Sequence, residues 1–194
     1  MPDLTQRLQD ALSQSGDASS DFDLNDDVRV PDHALTAASV LIGIRAETET
    51  VILTKRSARL KHHPGQIAFP GGKQDPGDAG PIDAALREAQ EEIGLPRHQV
   101  DILGALPPHQ TVTGYQVTPV LALVNGGFDP TPEAGEVSEV FEVPLRHVTS
   151  PQMFQIEGRR WQGRKRHYYA VPYGPYYIWG ATARILRALA ERMT

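Results

Sequence analysis

The stretch Arg87 to Leu95, REAQEEIGL, constrains the fold more tightly than any other part of the chain. At about 100° per residue, a helix brings Glu88, Glu91 and Glu92 into one sector roughly 100° wide. Ile82, Ala85, Leu86, Ala89 and Ile93 fill the opposite face with the spacing of a buried stripe. Pro81 suits a first helical turn, and Gly94 followed by Leu95-Pro96 ends the helix, so the spacing predicts a helix over 82–93. Three like charges so close repel by about 0.2–0.5 kcal/mol per i,i+4 pair. A divalent cation would relieve that repulsion, and carboxylate oxygens are ligands that Mg²⁺ and Mn²⁺ prefer. The plainer alternative is a solvated acidic face. Upstream lies Phe69-Pro70-Gly71-Gly72-Lys73, whose glycine pair can turn sharply and let backbone approach a ligand.

A glycine turn feeding a helix with these acids at this spacing resembles the Nudix box, G-x5-E-x7-R-E-U-x-E-E-x-G-U, where U is apolar. Arg87, Glu88, Ala89, Glu91, Glu92, Gly94 and Leu95 match its second half. The first half departs. The sixth residue after Gly72 is Asp78 rather than Glu, and eight residues instead of seven separate it from Arg87, so Asp78 is left out of the expected ligand set. The segment Leu53 to Gly72, LTKRSARLKHHPGQIAFPGG, resembles a second pattern, L-L-T-x-R-S-x-x-L-x-x-H-x-G-Q-[IV]-x-F-P-G-G, which precedes the box in the coenzyme A diphosphatases of that superfamily. Arg56, Ser57, Leu60, His63, Gly65, Gln66, Phe69, Pro70, Gly71 and Gly72 match it. Thr111–Tyr115 and Ile178–Ala183 are similar to later parts of the same subfamily. The resemblance runs from about Ala37 to the C-terminus. It implies an α/β (α+β) fold, an α/β/α sandwich around a mixed β-sheet, with the acidic helix beside the substrate cleft.

The metal ligands expected on this reading are Glu88, Glu91 and Glu92, and the resemblance adds the backbone carbonyl of Gly72. Arg87 is i,i+4 from Glu91. It is either a surface ion pair of small worth or, as the resemblance favours, a guanidinium that fixes a carboxylate rotamer. The catalytic group consists of Arg87, Glu91 and Glu92, with Glu136 as candidate base or distal ligand and Glu139 as its rival. Both of these last acids have the alternative of being ordinary exposed side chains. A diphosphate resists attack because its oxygens repel a nucleophile. Divalent ions neutralise it, hold the geometry and lower the pKa of a water. The protein then mainly positions groups and stabilises charge.

Lys55, Arg56, Arg59, Lys61, His62 and His63 form a basic segment before the box. Arginine suits bidentate phosphate contacts. Arg56, His63 and Gln66 carry the subfamily pattern and are expected to bind substrate, as is Tyr115, by stacking or by supporting the cleft, with core packing as its equal alternative. Arg159, Arg160, Arg164, Lys165 and Arg166 form a second basic run, read as a solvated hairpin with phosphate steering as the alternative.

With 194 residues, one domain with a sizeable core is the prior. Residues 1–34 read as an N-terminal helix, Asp3 to Gln14, followed by an acidic arm. Gly16 to Asp32 holds six aspartates and one arginine and reads as a solvated linker. Residues 35–194 read as the hydrolase domain. Strands are expected at 36–45 and 50–54 as a hairpin, and at 67–69, 100–106, 116–124, 139–143 and 166–171, with a terminal helix over 178–193. The absence of cysteine excludes disulfides and thiolate chemistry. No apolar run reaches the roughly 20 residues a membrane span needs, and the N-terminus lacks a signal pattern. These features lead to an expected cytoplasmic location and no membrane partner. A formal net charge of −5 argues against general nucleic-acid binding. The resemblance implies a Mg²⁺- or Mn²⁺-dependent diphosphatase for a small nucleotide substrate of the coenzyme A class, giving 3′,5′-ADP and a 4′-phosphopantetheine species. The alternatives are a hydrolase of ADP-ribose, NADH or a nucleoside triphosphate, and a catalytically silent nucleotide-binding module.

Overall fold

The computed structural model describes residues 3–25, 34–161 and 163–194. In chain order the elements are α1 (Leu4–Ser13), β1 (Ser19–Ser20), β2 (Thr36–Arg45), β3 (Thr50–Arg56), β4 (Ile67–Ala68), β5 (Gly71–Lys73), α2 (Pro81–Ile93), β6 (Val100–Ala105), β7 (His109–Gln110), β8 (Tyr115–Val124), β9 (Val137–Pro144), α3 (Leu145–Val148), β10 (Gln155–Trp161), β11 (Arg164–Ala170) and α4 (Gly180–Arg192).

The centre of the molecule is a parallel pair. β2 and β8 run side by side over ten residues, from Thr36 opposite Tyr115 to Arg45 opposite Val124. Strands buried on both faces read as near-continuous apolar runs, as VLIGI and VLALV do here. β3 folds back on β2 and continues antiparallel to β9; β6 and β7 pair antiparallel with β8, and β5 with β2, making one mixed sheet. Alternation along the strands splits the core in two. Leu41, Ile52, Val120 and Ala122 pack with Ala85, Ala89 and Ile93 of α2. Their neighbours Ile42, Val51, Leu53 and Leu121 pack on the other face with Leu8 of α1 and Ile185, Leu186 and Leu189 of α4. The expected α/β/α sandwich is therefore present, with α2 alone on one face.

Local signals placed most elements. α2 begins at Pro81 and stops at Gly94, which takes the left-handed conformation at φ 72°. Four short elements were not expected. β1 and β7 are two residues each, β5 is the three residues Gly71–Lys73, and α3 is one turn. The terminal helix starts at Gly180 rather than Ile178. Trp179 is extended, and Ile178 is buried ahead of the helix, its carbonyl accepting from the Val171 N–H. On α2, Ile82 is 40% exposed, whereas Glu92 lies on the buried side.

The arm departs from a solvated linker where it is described. Ser19, Phe22 and Asn25 are buried. Asn25 behaves like a strand residue: its amide donates to the His167 carbonyl at 2.9 Å and its carbonyl accepts from the His167 N–H at 2.8 Å. Fully buried His109 lies between Ser19 Oγ at 2.9 Å and Asp21 at 3.1 Å. The low apolar content hid an arm held by polar side chains on backbone. The remainder of the linker, 26–32, lies outside the described residues. Among the described residues no helix is long and apolar enough to cross a membrane.

Leu8 and Ala11 of α1 are fully buried against the α4 side of the core. Leu8→Ala is expected to cost about 2–5 kcal/mol in chemical denaturation, the range of a core truncation. A cost under about 1 kcal/mol would show α1 to be detachable.

Candidate active site

The site begins with a close approach. Gly71 sits at φ 157°, where an added Cβ would collide with the Ser39 carbonyl and with Val40, so only glycine lets β5 lie so near β2. This aims the Gly71 N–H at α2, where it donates to Glu92 Oε2 at 3.1 Å. At Gly72 the space a Cβ would need is filled by the Glu88 carboxylate. The turn and the acidic helix are therefore fitted together, with the Gly72 backbone against Glu88.

Arg87 holds the other side of the cluster. Its Nε and Nη2 grip both oxygens of Asp78 at 2.9 and 3.1 Å. Its Nη1 donates to Glu88 at 3.1 Å and Glu91 at 3.0 Å, and Nη2 also donates to the Lys73 carbonyl. The Asp78 contact, followed by the Glu88 charge, raises the guanidinium pKa against the opposing effect of burial, and the same pairing holds the Asp78 carboxyl below its ordinary value. Asp78 was missed as a functional position. The signal was its place at the head of the box, where a carboxylate one methylene shorter than Glu meets Arg87 instead of the metal cluster.

Glu92 is only 5% exposed. Burial pushes its carboxyl up to about 7, against the Gly71 N–H and aided by the charges of Glu88 and Glu136. Glu88 is raised mainly by burial as well, offset by Arg87 and reinforced by Glu91 and Glu136. The loop after β8 carries Glu136 to this cluster. It is tied to the end of α2 by the N–H groups of Thr131 and Glu133, which donate to the carbonyls of Ile93 and Glu92 at 2.9 Å each. The sequence left Glu136 and Glu139 as rivals, and their surroundings differ. Glu139 accepts from the Tyr176 hydroxyl at 2.5 Å, and Tyr176 stacks flat on Phe141 at 3.6 Å.

The donors are all oxygen, a set that suits a hard divalent cation. The charges of Glu88 and Glu136 bear on Glu92, and the Gly72 backbone lies beside Glu88. Glu91 is turned outward, 60% exposed and held by Arg87. Among the described residues no three carboxylate or histidine side chains converge into a finished cage. A carboxyl raised to about 7 and like charges bearing on one another fit a site whose balance a cation completes.

The pre-box pattern forms the loop from β3 to β4, closed where Arg56 N–H donates to the Gln66 carbonyl at 2.9 Å. Arg56 contributes a positive charge that bears on Glu92, and its buried Nε has no acceptor. His63 is exposed at φ 54°, where it forms the loop's turn. Gln66 faces the first turn of α4, its amide 3.7 Å from where a Cβ on Gly180 would stand. Tyr115 stands at the end of the β2/β8 pair with Lys73 over its ring at 5.9 Å.

The raised Glu92 pKa gives a stability effect of definite sign. Above about pH 4.5 an unfolded Glu92 ionises while the folded one keeps its proton, so the penalty grows as pH rises and is complete above about 7. At most it is about 3 kcal/mol. In EDTA, Tm is expected to fall from pH 5 to pH 8, and Glu92→Gln to flatten that fall by at least about 3 °C. Parallel curves for the two proteins would remove Glu92 as the cause.

The model of the NUDIX domain matches residues 35–165. The chain is 43% identical over 166 residues, 84% of its length and 86% of the relative's, to "Uncharacterized Nudix hydrolase NudL" of Pectobacterium atrosepticum. It is 42% identical over 154 residues, 79% of its length and 80% of the relative's, to the protein of the same name in Escherichia coli. Among solved structures, a C. elegans Ap4A hydrolase binary complex is similar at TM-score 0.49 and 24% identity, covering 56% of this chain and 80% of that one. The MutT protein of Methanosarcina mazei is similar at 0.49 and 20%, covering 61% and 83%. With the domain model spanning two thirds of the chain and these relatives matched over most of their length, the chain belongs to the Nudix hydrolases, metal-requiring enzymes that cleave phosphoric anhydrides in small nucleotide derivatives.

Proposed function

We propose that this hydrolase cleaves the diphosphate of coenzyme A or its derivatives, in a Mg²⁺- or Mn²⁺-dependent reaction that yields 3′,5′-ADP and 4′-phosphopantetheine or its acyl form. The observation that carries the reading is the placement of Arg56. Its unpartnered Nε and its charge lie beside the Glu92 cluster, at the end of the loop whose residues match the coenzyme A diphosphatase pattern. A buried guanidinium donor without an acceptor suits a phosphate oxygen of an anhydride.

On this reading Glu88, Glu91, Glu92 and the Gly72 carbonyl would hold the cation, Glu91 in exchange for its contact with Arg87. A divalent ion there would neutralise the diphosphate and acidify the attacking water. Arg87, anchored on Asp78, fixes the rotamer of Glu88. Glu136, on its tethered loop, takes the proton from the incoming water. Arg56 orients the diphosphate, with His63 and Gln66 shaping the loop around it and Tyr115 closing the cleft. Residues 35–194 constitute the catalytic domain, with 1–34 appended to it. The substrate is a free nucleotide derivative rather than nucleic acid, and the cytoplasm is the proposed location.

Glu91→Gln and Glu92→Gln are each expected to lower kcat at least 10²-fold at saturating Mg²⁺, about 2.7 kcal/mol of barrier, with circular dichroism unchanged. Near-normal turnover in both would sink the ligand assignment. Glu136→Gln should lose at least 10²-fold and Glu139→Gln less than 10-fold, the former being the size of a general-base effect. The reverse order would move the base to Glu139. A parallel assay of coenzyme A, dephospho-coenzyme A, ADP-ribose, NADH and dGTP tests the substrate. Coenzyme A should show the highest kcat/KM, with its advantage over dephospho-coenzyme A shrinking as salt rises. A preference for ADP-ribose would place the enzyme in another branch of the family. Binding without turnover between pH 7 and 9 would leave a silent module.

A further inference from the structure

The hairpin β10–β11 forms a two-stranded sheet apart from the main one, with Asn25 on His167 and Trp179 bridging Ala170 at the edge of β11. Its register places Glu157 opposite Tyr168, Arg159 opposite Arg166, and Arg160 opposite Lys165. Cross-strand partners share a face and successive residues alternate, so Glu157, Tyr168, Arg159, Arg166 and Arg164 all lie on one face. Like charges directly opposite each other destabilise a hairpin. Among the described residues none of these arginines has a carboxylate in ion-pair range.

The same face continues into aromatic rings. Tyr168 meets Trp179 at 5.0 Å between centroids, Tyr177 lies 6.5 Å from Trp179 with its plane 30° away, and the two tyrosine hydroxyls are 3.2 Å apart. Tyr177 is 45% exposed. Glu157 bears on the Tyr177 hydroxyl, which places that carboxylate at the junction of rings and arginines. The cluster adjoins the catalytic loop: Trp179 precedes Gly180, which faces the Gln66 amide, and Thr182 donates to the Ile67 carbonyl at 3.0 Å. Gln66 thus links the loop that holds Arg56 to Gly180 and its neighbour Trp179, whose ring contacts with Tyr177 and Tyr168 adjoin the face of Arg159 and Arg166.

We propose that this face is the subsite for the nucleoside end of the substrate, with the base stacking on Trp179 and Tyr177, and Arg159 and Arg166 binding a phosphate remote from the scissile diphosphate. The order of features matches that chemistry. Planar rings take any base face, and a guanidinium pair takes a phosphate dianion bidentately while relieving its own repulsion. Glu157 disfavours a phosphate placed directly on the rings, leaving the arginine end for it. The inference rests on the coenzyme A reading, which supplies a 3′-phosphate on an adenosine.

Two measurements test it separately from that reading. In the first, 3′,5′-ADP, 5′-AMP and inorganic tripolyphosphate are titrated into metal-free Trp161→Phe protein, in which Trp179 is the only tryptophan, and its fluorescence is followed. 3′,5′-ADP should quench it and bind at least tenfold tighter than 5′-AMP, and R159Q/R166Q should abolish that difference. This requires no turnover. Absence of quenching by either nucleotide, or hairpin-dependent binding of tripolyphosphate as tight as that of 3′,5′-ADP, overturns the subsite. In the second, the ratio of kcat/KM for coenzyme A to that for dephospho-coenzyme A should drop at least tenfold in R159Q/R166Q. An unchanged ratio in an enzyme that hydrolyses coenzyme A overturns the subsite and leaves the function standing. A protein that fails to hydrolyse coenzyme A yet shows hairpin-dependent discrimination in the first measurement overturns the function and leaves the subsite standing.

Discussion

The contact between the glycine turn and the acidic helix organises the active site. A carboxylate as buried as Glu92 is costly unless something answers its charge. The Gly71 N–H supplies part of that answer and fixes where the carboxylate points. It can do so only because Gly71 lacks a Cβ that would strike β2, and Glu88 can lie alongside only because Gly72 lacks one too. Two missing side chains therefore set the spacing between sheet and helix. The remaining imbalance of negative charge makes the site receptive to a divalent cation, since the energy left unsatisfied by the protein is recovered on binding.

Charge on the far side is handled differently. Arg87 is saturated by Asp78, Glu88, Glu91 and the Lys73 carbonyl, so it acts as a rigid frame for the carboxylates around it. Asp78 takes the bidentate share. The shorter acid at the head of the box and the extra residue before Arg87 are thus two sides of one arrangement, in which the first acid is assigned to the arginine.

Most of this site was legible in the sequence because its elements are punctuated locally. Pro81, Gly94 and the stripe of Ala85, Ala89 and Ile93 define α2 without help from the rest of the chain. The glycine pair announces a close approach, and periodicity assigns the long strands. What escaped depends on partners far along the chain. Asn25 lies flat on β11 through its amide, a role that composition cannot distinguish from solvation. Glu92 is one step round the wheel from where the charged face ends, and its carboxylate is turned in to the Gly71 N–H of a strand 21 residues upstream. Glu136 and Glu139 look alike in PEAGEVSEV, and only the Tyr176 hydroxyl, 37 residues further on, tells them apart.

The parallel pairing of β2 with β8 carries a kinetic consequence. Thr36 and Tyr115 are 79 residues apart in sequence, and β3, the basic loop, the glycine turn and α2 all lie inside the loop that this pairing closes. The entropy of closing such a loop must be met before the central strands gain anything from each other. Before β8 joins, the acidic helix has only Leu41 and Ile52 of the β2–β3 hairpin to bury Ala85, Ala89 and Ile93 against. Glu136, on the loop after β8, is thus the last of the acidic residues to reach the cluster. Until then the apolar stripe of α2 lacks Val120, Ala122 and Val124, the partners that β8 supplies.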